Sequence, residues 1–132
     1  MSMIDKVAWI LLVDGAVLST RSRGRDVWYL PGGKREPGES DGETLVREVR
    51  EELTVDIVPD TARHLGTFTA PAHGQPPGTM VRMACYTADH RGQPAPDNEI
   101  EEIGWLTLAD RDRVSAVDQL VFAHLRDAGL LR

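Results

Sequence analysis

Long apolar runs are missing from this chain. No stretch approaches the roughly 18 residues that a membrane-spanning helix needs. The segment Met1 to Ala8 carries Asp5 and Lys6 and lacks a signal-peptide pattern. Cysteine is nearly absent. Cys85 stands alone, so no intrachain disulfide forms, and its apolar setting predicts an inert buried thiol in a reducing cytoplasm. Repeats and low-complexity tracts are absent too. Positive charge is in deficit, with 15 Lys and Arg against 21 Asp and Glu and a net charge of −6. That balance argues against a nucleic-acid polymer as the main partner. What remains is one ordinary globular domain over residues 1–132, 41% hydrophobic and 27% charged, large enough for a core without metal or disulfide staples.

The charge is unevenly placed. Residues 36–56 hold eight acids and two bases, which accounts for the whole net charge, while residues 21–35 hold five bases and one acid. A basic stretch with Arg23, Arg25 and Lys34 therefore runs into an acidic one. Two readings stand side by side: solvated surface, or a site for an anion and its accompanying cation.

Hydrophobic patterning divides the chain into strands and two helices. Val7 to Val13 reads as a strand, turned by Asp14-Gly15 into a partner over Ala16 to Ser22. Trp28 to Leu30 reads as a short strand ending in a sharp turn at Pro31-Gly32-Gly33. Ser40 and Glu43 form a predicted capping box for a helix over 41–53, with Leu45, Val46, Val49 and Leu53 on its buried side. Strands are expected at 56–58, 65–69, 80–88 and 103–108, with loops at 71–78 and 89–98. A last helix over about 116–128 is capped by Ser115 and Asp118 at its start and Gly129 at its end. Trp28, Tyr86 and Trp105 read as core. This order predicts an α/β (α+β) domain with a central mixed sheet covered on both faces.

The first helix carries the chemistry. Glu48, Glu51 and Glu52 stand at i, i+3 and i+4, within about 100° of one another beside the apolar stripe. Three carboxylates are hard oxygen ligands that suit Mg²⁺ or Mn²⁺. Gly33 is followed by Glu39 after five residues, then after seven more by Arg47-Glu48-Val49-Arg50-Glu51-Glu52-Leu53-Thr54-Val55. This spacing resembles the Nudix box, G-x5-E-x7-R-E-U-x-E-E-x-G-U, across residues 33–55; Thr54 stands where the pattern has glycine. The run from Asn98 through Glu99, Glu101 and Glu102 to Trp105 also resembles the acidic cluster and tryptophan before the family's last strand and helix.

The resemblance implies the Nudix α/β/α sandwich with a mixed sheet. It implies a MutT-like, Mg²⁺- or Mn²⁺-dependent hydrolase that cleaves the pyrophosphate of a nucleoside diphosphate derivative. A nucleoside triphosphate, including an oxidised one, comes first; dinucleoside polyphosphates, nucleotide sugars and a non-catalytic sensor stay open. Carried over residue by residue, Glu51, Glu52 and the Gly32 carbonyl are metal ligands, and Glu48 is a ligand or the general base. Gly33, Glu39 and Arg47 are structural, with Arg47 orienting the glutamates. Glu99 and Glu102 are candidates for a further acid, and Arg23, Arg25 and Lys34 for phosphate binding. His73 is a weaker candidate for a base or ribose contact. The implied partner is a small nucleotide in the cytoplasm, with no membrane; a homodimer is a family habit the sequence does not decide.

Overall fold

The computed structural model describes residues 2–132; Met1, the first residue of the expected domain span, lies outside the described residues. The strands are β1 (Ser2–Trp9), β2 (Leu12–Val13), β3 (Ala16–Ser22), β4 (Gly32–Lys34), β5 (Asp56–Ile57), β6 (Arg63–Pro71), β7 (Thr79–Thr87), β8 (His90–Arg91) and β9 (Ile100–Leu106). The helices are α1 (Asp41–Leu53) and α2 (Ala116–Asp127), with 3-10 turns at Pro59–Thr61 and Leu108–Arg113.

The main sheet is mixed, in the order β4-β1-β7-β6, with β1 parallel to β7 and the other pairs antiparallel. A second, antiparallel sheet has the order β2-β3-β9. Alternation along β1 sorts its side chains by layer. Val7 and Trp9 join Leu45, Val49 and Leu53 of α1 in one core, and Ala8 joins Val121, Phe122 and Leu125 of α2 in the other. Each helix thus covers one face, giving the expected α/β/α sandwich.

Several expectations are corrected. The strand expected over 7–13 is two strands: β1 starts at Ser2, and the chain changes sheets between Trp9 and Leu12. Its first half, Ser2-Met3-Ile4-Asp5, is a weak strand signal in sequence and is held by parallel backbone pairing, Ser2↔Thr79 to Trp9↔Tyr86, with Ile4 packed on the core. Asp14 (φ 51°) and Gly15 (φ 79°) make the predicted hairpin turn. The turn expected at Pro31-Gly32-Gly33 is instead the entry to β4, which pairs with β1, while Trp28 and Tyr29 make only isolated bridges. The strand expected at 103–108 spans 100–106, because the acidic residues pair with β3 through their backbones. Trp105 is not core; it is 45% exposed on β9. Tyr86 is half-buried, with its hydroxyl donating to Asp41.

Helix α1 begins with the predicted capping box. It ends on Thr54 at φ 61°, so threonine takes the left-handed conformation that glycine would take freely. The last turn's carbonyls are held by the segment before β9: Ala95 N–H donates to Leu53, Asp97 N–H to Glu52 and Asn98 Nδ2 to Glu51. Helix α2 ends as predicted at Gly129 (φ 75°), where Gly129 N–H donates to Arg126 and Leu130 N–H to Leu125 in a Schellman motif. Its start is a correction: neither Ser115 nor Asp118 caps it with a side-chain hydrogen bond.

Candidate active site

Two glycines on β4 let the box helix approach the sheet. Gly32 has φ 140°, and a Cβ there would collide with the Val7 carbonyl oxygen. A Cβ at Gly33 would come within 2.5 Å of the Glu48 carboxyl group. The missing side chain at Gly33 is therefore the space that the Glu48 carboxylate uses. Gly32 N–H donates to Glu52 Oε1 at 3.0 Å.

Arg47 ties the approach loop to the helix. Its Nε donates to Glu39 Oε2 at 2.7 Å, its Nη1 to Glu48 Oε1 at 2.9 Å and its Nη2 to both Glu39 and the Lys34 carbonyl. Glu39 also accepts from Glu36 N–H and Thr44 Oγ1. The Arg47 guanidinium and the Glu36 N–H hold the Glu39 carboxyl down at about 2.

Two carboxyl groups of α1 shift the other way, Glu52, which lines the cleft, and Glu48, which does not. Burial pushes Glu52 up to about 8, with the charges of Glu48 and Glu99 adding to it and the Gly32 N–H opposing it. Burial also raises Glu48, against the pull of Arg47. Glu99 arrives beside Glu52 because residues 95–98 are fixed to the end of α1. Glu51 does not join this group: its side chain is 53% exposed, and Arg47 Nη1 lies 3.8 Å from it. Among the described residues, no three acidic, histidine or cysteine side chains stand close enough to hold a metal ion as placed. The donor set still fits a hard cation. Glu48 sits in the cradle left by Gly33, and Glu52, which pairs with no arginine or lysine among the described residues, feels the charges of Glu48 and Glu99 and is free to give up its proton to a cation.

Gly32, Gly33, Glu52 and Glu99 line one end of a cleft of about 500 Å³, whose walls also carry Arg23, Arg25 and Lys34. Glu102 does not line this cleft; it pairs with Arg21 Nε at 2.8 Å, and Glu101 with Arg21 Nη2 at 2.9 Å. Arg21 Nη1 donates to the Arg25 carbonyl, and Arg23 N–H to the Glu99 carbonyl, so one arginine braces both cleft-lining loops. His73 also lines the cleft.

The cleft also holds residues that sequence reasoning missed, namely Lys6, Tyr29 and above all Asp118. Asp118 is 1% exposed, and burial raises its carboxyl to about 7, opposed by the Leu30 N–H that donates to it at 3.0 Å. The signal was present. Asp118, Phe122 and Leu125 lie at i, i+4 and i+7, so an acid sits in the apolar stripe of α2, where a cap would point outward.

Comparisons with known proteins agree with this geometry. A family model described as NUDIX domain matches residues 3–125. An Escherichia coli (strain K12) protein named CTP pyrophosphohydrolase is 33% identical over 97 residues, covering 70% of this chain and 67% of that protein. A Bacillus subtilis (strain 168) protein named Nudix hydrolase YvcI, uncharacterized, is 30% identical over 102 residues, covering 76% and 64%. The chain spans about two thirds of the length of these relatives. Among solved structures, that of the E. coli ORF135 protein matches with a TM-score of 0.75 and 27% identity, covering 97% of this chain and 94% of that one. The MutT protein from Methanosarcina mazei Go1 shares the fold, with a TM-score of 0.77 at 22% identity over 97% and 96% of the chains. No helix among the described residues is long and apolar enough to cross a membrane. The chain belongs to the NUDIX family.

Proposed function

We propose that this NUDIX-family chain hydrolyses the pyrophosphate linkage of a nucleoside diphosphate derivative, with a nucleoside triphosphate as the preferred substrate and monophosphate and pyrophosphate as products. One observation carries the reading: a buried, proton-holding Glu52, crowded by Glu48 and Glu99, shares a cleft with Arg23, Arg25 and Lys34. A carboxylate cluster and a cationic wall face to face suit a polyanion that binds with a divalent cation. The E. coli relative named CTP pyrophosphohydrolase supports a triphosphate and makes a cytidine nucleotide one to include.

Glu52, Glu48 and the Gly32 carbonyl would hold Mg²⁺ or Mn²⁺, with Glu51 reaching in from the rim by a change of rotamer. Bound there, the ion supplies charge neutralisation at the phosphate oxygens and orientation of the reacting water. The chain does the rest. Glu48, fixed by Arg47, accepts the proton of the attacking water as its oxygen bonds to phosphorus. The bond to the bridging oxygen then breaks, and pyrophosphate leaves with the electron pair. Arg23, Arg25 and Lys34 offset the charge on the phosphates in both states. Tyr29 and Asp118, which also line the cleft, contact the base. The lone buried thiol of Cys85, which burial raises to about 12, suits a reducing cytoplasm.

The test is a panel of nucleoside triphosphates, dinucleoside polyphosphates and nucleotide sugars with Mg²⁺, read as products. Monophosphate plus pyrophosphate from a triphosphate is the expected result. Tight nucleotide binding without turnover of any panel member would make the domain a sensor.

A further inference from the structure

Two lysines stand side by side in the cleft with no acid between them. Alternation along β1 turns Ile4 and Ala8 toward α2, where both pack on its apolar core. Lys6 lies between them in the same row, so a half-buried cation interrupts an inward-facing apolar stripe. Its partner in register on β4 is Lys34. Residues opposite each other on an antiparallel pair share a face with Cβ atoms about 4.5–5.5 Å apart, and like charges there repel. The other face of the same ladder does the reverse. Arg35 N–H donates to the Asp5 carbonyl at 3.1 Å, and its guanidinium pairs with Asp5 and Asp41, while Asp5 also pairs with Arg82 at 2.8 Å. Those contacts hold the register that sets lysine against lysine. Among the described residues, neither Lys6 nor Lys34 forms an ion pair of its own.

The Lys6 ammonium lies 5.3 Å from the centre of the Tyr29 ring, which fixes its place without cancelling its charge. That charge is felt at both Glu52 and Asp118, yet neither carboxyl comes within ion-pairing distance. Both lysines line the main cleft and a side cavity of about 70 Å³ beside it. A repelling pair that the chain itself leaves unneutralised is a receptor for an anion with several oxygens. Resting on the nucleotide reading above, we propose that Lys6 and Lys34 clamp a phosphate group of the substrate other than the one attacked, so that Lys6 sets a preference for a triphosphate chain over a diphosphate. Each ammonium has three donors for phosphate oxygens. The third phosphate supplies the charge that relieves the pair. A diphosphate, drawn to the carboxylate cluster and its cation, leaves Lys6 without a partner.

The experiment measures kcat and KM with Mg²⁺ for the best triphosphate of the panel and for its diphosphate, in wild type, Lys6→Met and Lys6→Arg. Methionine keeps the length and suits the apolar row; arginine keeps the charge. Lys6→Met is expected to raise KM for the triphosphate about tenfold or more with kcat little changed, and to leave the diphosphate values near those of wild type. Lys6→Arg restores most of the preference. A second arm needs neither base nor turnover: inorganic triphosphate is added to the metal-free protein at pH 6 and the melting temperature is followed. Wild type and Arg91→Gln, which removes an exposed charge on β8, rise by several degrees. Lys6→Met and Lys34→Met rise by less than half as much. An unchanged triphosphate-to-diphosphate ratio in Lys6→Met, or a melting shift equal to that of wild type, overturns the clamp and leaves hydrolysis standing. So does a preference among bases that moves in Lys6→Met while that ratio does not. If no triphosphate is hydrolysed but the melting shift still depends on Lys6, the hydrolysis reading falls and the anion site stands.

Discussion

Glu52 combines two opposed requirements in one side chain. It is buried against β4, yet it faces Glu48 and Glu99 across a cleft that needs negative charge to hold a cation. Without metal it keeps its proton to about pH 8, against about 4.3 for an unperturbed glutamate. Well below both values the folded and unfolded chains carry that proton alike. Between them the unfolded chain has released it and the folded chain has not, so stability falls as pH rises through that window. Asp118, raised to about 7, adds a loss of the same sign. Glu39, held near 2, contributes steadily at any pH above the ordinary carboxylate range and does not oppose them there. The metal-free protein should therefore melt lower at pH 8 than at pH 6, and millimolar Mg²⁺ should raise the melting temperature more at pH 8. Scanning calorimetry at both pH values checks this; an equal Mg²⁺ effect at both would separate Glu52 from the metal. Thr54 makes a smaller statement. Its left-handed φ of 61° costs about 1–2 kcal/mol, part of which glycine gives back as flexibility of the unfolded chain. Thr54→Gly should raise stability by about 0.5–1 kcal/mol in urea unfolding, with kcat unchanged.

At the level of elements, the site is assembled by groups that hold other groups. Residues 95–98 finish α1 by binding its last carbonyls, and that contact delivers Glu99 to Glu52. Arg21 braces the loop of Arg23 and Arg25 against Glu101 and Glu102. These exposed ion pairs add little to stability, but their geometric effect falls on the substrate. Arg21→Ala should raise KM severalfold for the best triphosphate and lower kcat less, because it loosens phosphate binding in ground and transition states together. Steady-state kinetics at saturating Mg²⁺ read this, and an unchanged KM would remove Arg21 from the account. Such bracing was hard to read beforehand. Glu99 and Glu102 sit three residues apart on a strand entry and look alike in sequence; only the pairing with β3 and the cap on α1 send one to the cleft and the other to Arg21.

For the whole molecule, what was legible was what local chemistry decides. Helix α1 runs from 41 to 53 as its capping box and apolar stripe predict, and the two helices cover opposite faces of a mixed sheet. The spacing from Gly33 to Glu52 locates the carboxylate end of the cleft, and the basic run supplies its cationic wall. What stayed hidden depends on distant contacts. Ser2 to Lys6 form a strand because β7 lies beside them, and Gly32 to Lys34 because β1 does. Asp118 looks like a cap until Leu30 is seen to occupy it, and Glu51 looks equivalent to its neighbours until the end of α1 is seen to leave it in solvent.

The most direct test of the account is turnover by Glu52→Gln. Glutamine resembles the protonated glutamate, keeps an oxygen for the Gly32 N–H and cannot ionise beside Glu48, so the variant should fold and melt like the metal-free wild type at pH 6 and above it at pH 8. Loss of a charged ligand should nonetheless lower kcat about a hundredfold or more. Glu101→Gln, an acid paired with Arg21 outside the carboxylate cluster, should change kcat far less. Both variants are checked by circular dichroism and assayed with Mg²⁺ on the best triphosphate. A folded Glu52→Gln that hydrolyses at a near-normal rate would contradict the assignment of the α1 carboxylates to catalysis.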